Sequence, residues 1–461
     1  MINSTEAPGR EQRSGRRLAL ASLVAVCAAC GDAAPARQAA RGPDGPPADA
    51  AAVEGARSAS GDGIGSATRE GAGGPPVAAG VDVLLDSVPP VLRGARLGLI
   101  TNHTGRAADG TSTIDALHAH PDLRLAALFA PEHGLRGDVA LDRLVEGGRD
   151  PTTGLPVHTL YGGADRRRPT PDMLVGLDAL AFDIQDVGAR PYTYVWTMAL
   201  AMEAAAQAGL RFVVLDRPNP IGGVAVQGPV QDPSHLTFVG LHPVPLRHGL
   251  TPGELARYLV GERGIDVRLL VVPARGWLRD RWFDETGLAW RPPSPNMPSL
   301  ESAAHYPGTV LLEGTNLSVG RGTDAAFQQV GAPWLDAERL AAAVRAAGPA
   351  GVRVEPVAFT PRSPQDGKYA GERVHGVRLR VTDRAAYDPV RTAVALIVAA
   401  RAQDPGRFGW TGTMDRLIGT ASFREGVEAG WSAERLTRGW AAQEAAFRAT
   451  RKPYLVYPSA P

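Results

Sequence analysis

LRLAALFAPEHGLRGD, residues 123–138, joins an apolar run to a loop dense in polar chemistry. The run over 123–130 stops at Pro131, and Glu132, His133, Arg136 and Asp138 follow, interleaved with Gly134 and Gly137. A buried strand ending this way holds a carboxylate, an imidazole and a guanidinium on a rigid support, while glycine lets backbone approach a ligand. A solvated loop whose charges pair with one another has the same composition. The surrounding chain has to decide.

Outward from this stretch, further apolar runs read as strands at 95–100, 157–160, 179–184, 211–216 and 267–272. Helical segments alternate with them. One starts at Ser112 with Asp115 and runs to about His120, and one spans 196–208 before Gly209. A third opens on the capping box Thr251-Pro252-Gly253-Glu254 and reaches about Glu262. This alternation predicts an α/β fold, a doubly wound parallel sheet covered on both faces. Such sheets bind ligands beyond the carboxyl ends of their strands. Asn102-His103, Glu132-His133, Asp183 with Asp186, and Asp216 all follow predicted strands, so they converge on one edge.

Residues 277–322 read as mostly irregular, with the Pro-rich run 292–299 and EGTNLSVGRGTD at 313–324. Beyond Asp336 a helix to about Ala347, strands at 352–359 and 374–381, and a helix from Asp388-Pro389 to about Ala402 predict a smaller α+β domain.

The first 80 residues differ in kind. Arg10, Arg13, Arg16 and Arg17 precede a short apolar run at 18–29, too short for a comfortable membrane span. Cys27-Ala28-Ala29-Cys30-Gly31 closes it and resembles a bacterial lipoprotein signal with Cys30 as the lipidated residue. Residues 31–80 are rich in Ala, Gly, Pro, Asp, Arg and Ser, with no Phe, Tyr or Trp, which predicts a tether. An exported protein is expected, anchored at the periplasmic face of a membrane or free as a periplasmic or secreted form. With only two cysteines, both in the targeting segment, no disulfide framework holds the fold. A net charge of +1 argues against nucleic-acid binding through a strongly basic surface.

No GxGxxG follows the first strand, and no P-loop, GxSxG or HExxH is present. Asp183 and Asp186, three residues apart, suit a shared cation, but a metal is not expected. What remains is a group of acids (Glu132, Asp183, Asp186, Glu313, Asp324) with Tyr192, Tyr194, Trp282 and Trp290 nearby, and Arg136, Arg190 and Arg321 for an anionic substituent. Glycoside hydrolysis uses such a set, one carboxylic acid protonating the leaving oxygen and a second carboxylate acting opposite it. Each acid taken singly is equally an ion-pair partner or a helix cap. Chemistry alone leaves a hydrolase or a binder of a polar, anionic ligand.

The order of longer motifs goes further. GLITNHTG (98–105), FAPEHGLRGD (129–138), DPTTGLPVHTLYG (150–162), FDIQDVGARPYTY (182–194), LDRPNPIGG (215–223), PSPNMPSL (293–300) and YPGTVLLEGTNLSVGRGTD (306–324) resemble the bacterial exo-β-N-acetylmuramidases, a glycoside hydrolase family. The resemblance covers about residues 81–458. It implies a Rossmann-like domain over 81–300 and a smaller domain over 301–461, with a cleft between them, after a signal segment (1–30) and a tether (31–80). It also implies release of N-acetylmuramic acid from the non-reducing end of peptidoglycan fragments, without nucleotide or metal cofactor. On this basis Glu132 is expected as general acid with His133 orienting it, and Glu313, or next Asp186, as the second carboxylate; the substrate's 2-acetamido group is the alternative nucleophile. Asn102, Asp183, Arg190, Tyr194, Asn296 and Arg321 are the expected substrate contacts. A non-catalytic lipoprotein binding cell-wall sugars is the competing expectation, and a hydrolase of an amide or ester bond in the same polymer is a third. His103 stands where the family commonly has Gln, and Ala325-Ala326-Phe327-Gln328-Gln329 replaces a more usual Pro-Phe-Glu pattern.

Overall fold

The computed structural model describes residues 76–131, 134–136, 148–160 and 167–460. The targeting segment with Cys30, most of the expected tether, and Glu132 with His133 lie outside the described residues.

Six strands form one parallel sheet: β1 (Arg96–Thr101), β2 (Arg124–Ala130), β3 (Val157–Thr159), β4 (Ala179–Asp183), β5 (Arg211–Leu215) and, after a two-stranded antiparallel pair β6 (Gln227–Val230) and β7 (Pro245–Arg247), β8 (Arg268–Val272). The spatial order is β3-β2-β1-β4-β5-β8. From β1 the chain winds one way through β2 and β3, then returns to place β4 on the other side of β1. The direction reverses between β1 and β4, where doubly wound sheets open a crevice.

Successive strand residues point to opposite faces, which is why the strands read as continuous apolar runs. Ile100, Phe129, Phe182 and Phe212 enter one core with Trp196 and Leu255 of the helices Tyr194–Gln207 and Pro252–Arg263. Leu99, Leu128, Ala181 and Val213 enter the other, beneath Leu84 and Leu117 of the helices Gly80–Asp86 and Thr113–Ala119. The expected capping box forms: Thr251 Oγ1 accepts from Glu254 N at 3.1 Å and Glu254 Oε2 accepts from Thr251 N at 3.1 Å.

The C-terminal part carries an antiparallel sheet in the order β10 (Val352–Phe359), β11 (Val374–Val381), β9 (Gln329–Ala332). It packs with the helices Leu300–Thr309, Ala337–Ala346 and Pro389–Gln403 in a core that also takes in Val187, Ile221 and Leu246 from the N-terminal half.

One expectation is corrected and another refined. Residues 76–80 belong to the folded part rather than the tether: Val77 N donates to Thr286 O at 3.0 Å, and Gly80 opens a helix. Gly80 is required there, since a Cβ would lie 2.3 Å from Asp216 N. The stretch 277–322 is irregular over most of its length, as expected, but it also holds a helix that the expectation missed. Ser299 caps the helix Leu300–Thr309, which continues as a 3-10 turn over Val310–Gly314 with Pro307 inside it. Pro307-Gly308 reads as a breaker, yet Gly308 is there for close approach: a Cβ would fall 1.8 Å from Pro389 O of the neighbouring helix.

Candidate active site

At the reversal point, the loops after β1 and β4 are tied together. Thr101 Oγ1 donates to Asp183 O at 2.7 Å. Asn102 Oδ1 accepts from Thr104 N at 2.9 Å and from Thr104 Oγ1 at 2.6 Å, and that hydroxyl accepts from Gln185 N at 3.0 Å. Asn102 Nδ2 is buried without a hydrogen-bond partner. Asp186 is similar: Oδ2 accepts from Gly188 N at 2.7 Å, while Oδ1 is buried and unpartnered. Burial pushes the Asp186 carboxyl up to about 7, against the opposing effect of its backbone donors.

Several expected contacts turn out to be internal struts. Asp183 is 0% exposed, and Arg217 (Nε 2.5 Å, Nη2 2.9 Å) and Thr113 (Oγ1 2.5 Å) occupy both its oxygens. With three donors on its two oxygens and no exposed surface, it fixes the floor of the edge. Arg190 is also 0% exposed and donates through Nη2 to Leu417 O at 2.6 Å and Ile418 O at 3.1 Å. The Tyr194 hydroxyl donates to Pro293 O at 2.8 Å from a buried ring. Arg136 is consumed by Asp115 and Asp150, both at 2.8 Å, and its guanidinium holds the Asp150 carboxyl down at about 2. Trp282 is buried in the core. Asn296, nearly buried, donates to Gln365 Oε1 at 2.6 Å.

The Glu313–Arg321 pair stays open. Glu313 Oε1 accepts from Arg321 Nε and Nη2, each at 2.6 Å, with the two side chains 23% and 20% exposed. Glu313 is the next-to-last residue of the 3-10 turn, which ends at Gly314. Its carbonyl accepts from Thr411 Oγ1 at 3.0 Å, and Lys368 Nζ grips Thr315 O at 2.7 Å and Leu317 O at 3.1 Å. Arg321 sits between Gly320 and Gly322, both at positive φ (76° and 75°), and lies over the Phe327 ring at 5.1 Å.

Edge-to-face ring contacts connect this pair to the sheet edge: Tyr194 with Tyr192 at 5.2 Å, Tyr192 with Tyr306 at 5.6 Å, and Tyr306 with Phe327 at 4.8 Å. The loop 292–296 closes over the same region through His103 Nε2, which donates to Pro292 O at 2.8 Å. Sequence reasoning did not single out Tyr306, Lys368 or Phe327. Phe327 adopts φ 64°, a conformation costly for a bulky residue and concentrated at functional sites. The one signal for it was the unusual run after Gly-Arg-Gly-Thr.

The described residues therefore include two carboxyl groups in contrasting surroundings, Glu313 against a guanidinium and Asp186 enclosed with one oxygen unpartnered. Such contrast separates acid from base roles.

Two family models cover this chain: the N-terminal domain of exo-β-N-acetylmuramidase NamZ over residues 97–301 and its C-terminal domain over 304–457. The peptidoglycan β-N-acetylmuramidase NamZ of Bacillus subtilis (strain 168) is 44% identical over 385 residues, 83% of this chain and 92% of that relative. Two crystal structures of DUF1343 family proteins from Bacteroides fragilis share the fold. One has a TM-score of 0.77 at 36% identity, the other 0.68 at 30%, and each match covers 83% of this chain and 99% of that one. The chain belongs to the exo-β-N-acetylmuramidase NamZ family.

Proposed function

We propose that this family member is a glycoside hydrolase that releases N-acetylmuramic acid from the non-reducing ends of peptidoglycan fragments. The observation that carries this is the 44% identity to the Bacillus subtilis β-N-acetylmuramidase across 83% of the chain. The open Glu313–Arg321 pair, joined to the sheet edge by aromatic contacts, supports a sugar-binding cleft there. In this reading Glu132 protonates the glycosidic oxygen, with His133 beside it in sequence. Glu313 is the opposite carboxylate, held in place by Arg321. Asp186, retaining its proton up to about pH 7, donates a hydrogen bond to a sugar oxygen that Asn102 Nδ2 also reaches. The N-terminal pattern ending at Cys30 supports export and lipid anchoring, which would hold the enzyme by its tether beside the cell wall.

The test uses purified protein with 4-nitrophenyl β-N-acetylmuramide and with muropeptide-derived oligosaccharides. Mass analysis should find free N-acetylmuramic acid. Glu132→Gln and Glu313→Gln should each lose at least about a hundredfold in kcat. Saturable binding without turnover would establish a cell-wall-sugar-binding protein instead, and full activity in either variant would remove that residue from the mechanism.

A further inference from the structure

Arg190 is among the largest wholly buried side chains, and among the described residues no carboxylate pairs with it. Its Nε and Nη1 have no hydrogen-bond partner. Buried guanidinium groups are ordinarily paired, because removing the charge from water is costly. A position that keeps one unpaired calls for a reason other than stability.

The geometry supplies one. Arg190 lies four residues after Asp186 on the loop leaving β4, and its backbone is locked by N donating to Leu246 O at 2.9 Å and by O accepting from Trp196 Nε1 at 2.7 Å. From this support the guanidinium crosses to the C-terminal carbonyls of the short helix Met414–Ile418, at Leu417 O and Ile418 O. Gly419, at φ 92°, ends that helix, and a Cβ there would lie 2.9 Å from Arg190 Nη1, so glycine admits the side chain. At its other end the helix meets the Glu313 turn: a Cβ on Gly314 would lie 2.7 Å from Met414 Cα. Thr411 N donates to Gly314 O at 2.9 Å, Thr411 Oγ1 to Glu313 O at 3.0 Å, and Thr413 Oγ1 to Glu313 O at 3.4 Å.

We propose that Arg190 is a positioning residue which, through the helix Met414–Ile418, sets the placement of Glu313 relative to the sheet-edge loop that carries Asp186. The proposal rests on the hydrolase reading of Glu313. A cation at a helix C-terminus is favoured by the helix dipole and takes up otherwise open carbonyls. Misplacement of a reacting group by about 1 Å costs on the order of a hundredfold in rate.

The experiment compares Arg190→Met, Arg190→Lys and Glu313→Gln in the full chain on 4-nitrophenyl β-N-acetylmuramide, measuring kcat, KM and Tm. Arg190→Met should lose about ten- to a hundredfold in kcat with KM within about twofold, and its Tm should hold or rise because an uncompensated buried charge is gone. Arg190→Lys, able to reach the same carbonyls, should recover part of kcat. If Arg190→Met does not fold, the double variant Thr411→Val/Thr413→Val breaks the far end of the same linkage and should lower kcat about threefold or more at unchanged KM. Wild-type kcat in the variant that folds, alongside an inactive Glu313→Gln, overturns the proposal. Full activity in Glu313→Gln overturns the underlying reading instead.

Discussion

Two aspartates on the same sheet edge have opposite surroundings. Asp216, just past β5, is wholly buried and fully partnered: Oδ2 accepts from Thr251 Oγ1 at 2.7 Å and Tyr457 Oη at 2.6 Å, and Oδ1 from Gly253 N at 2.8 Å and Arg217 N at 3.0 Å. Asp186, just past β4, is equally enclosed but keeps one oxygen unpartnered, as Asn102 keeps its amide nitrogen. Burial raises both carboxyls. The donors around Asp216 hold it to about 6, whereas Asp186, with backbone donors alone, reaches about 7. Buried polar atoms in folded proteins are overwhelmingly satisfied, by protein groups or by ordered water. The β5 end is fastened, and the loops after β1 and β4 keep unused hydrogen-bonding capacity.

If that contrast is sound, substitutions at the two ends should separate stability from activity. The largest stability effect belongs to Asp216→Ala, which strands Thr251, Tyr457 and Gly253. Urea unfolding should show a loss of about 3 kcal/mol, with kcat/KM at 25 °C within about twofold. A stable Asp216→Ala would erase the distinction. Asp186→Asn should do the reverse, lowering kcat/KM at least about tenfold while leaving stability at pH 7 unchanged or raised, since the neutral amide carries no charge to bury. Its pH dependence sharpens the point. The fold favours the neutral Asp186, whose unfolded carboxyl titrates near 4. Its contribution is therefore complete below about pH 4 and is lost as pH rises through about 7. Wild-type stability relative to Asp186→Asn should fall across that window, and parallel curves would show that Asp186 is not titrating there. The smallest effect is expected from Tyr457→Phe, which removes one hydrogen bond to an otherwise well-served carboxylate. A Tm shift corresponding to about 1 kcal/mol, with unchanged kcat and KM, would agree.

The fold was legible where periodicity and burial coincide. β10 and β11 match the predicted 352–359 and 374–381, and β1, β2, β4, β5 and β8 differ from their predicted spans by a residue or two. The helix Leu300–Thr309 was hidden because Pro307-Gly308 punctuates a chain locally, whereas its reason for being there is Pro389, eighty residues away in space-filling contact. β9 escaped because Gln-Val-Gly-Ala has no strong alternation, and its pairing with β11 comes from tertiary context. At the site, residue types were readable but directions were not. Asp183 and Arg136 look like ligand-binding groups until Arg217 and the pair Asp115 and Asp150 are seen to occupy them. Arg190 resembles an anion-binding arginine in sequence, yet its partners lie 227 and 228 residues further along the chain. No local spacing encodes such partners. The openness of Glu313 and Arg321 was likewise a property of packing.

The fastening at β5 also bears on how the chain acquires its structure. Tyr457 reaches Asp216 across 241 residues, and Val456 N donates to Glu254 Oε1 at 2.8 Å across 202. Contacts this remote in sequence carry a large loop-closure cost and arrive late. During synthesis the β5–β8 side of the sheet must wait, with its buried acids unsealed, until residues 456 and 457 have emerged. A nascent chain therefore keeps this side of the sheet incompletely folded until residues 456 and 457 are available.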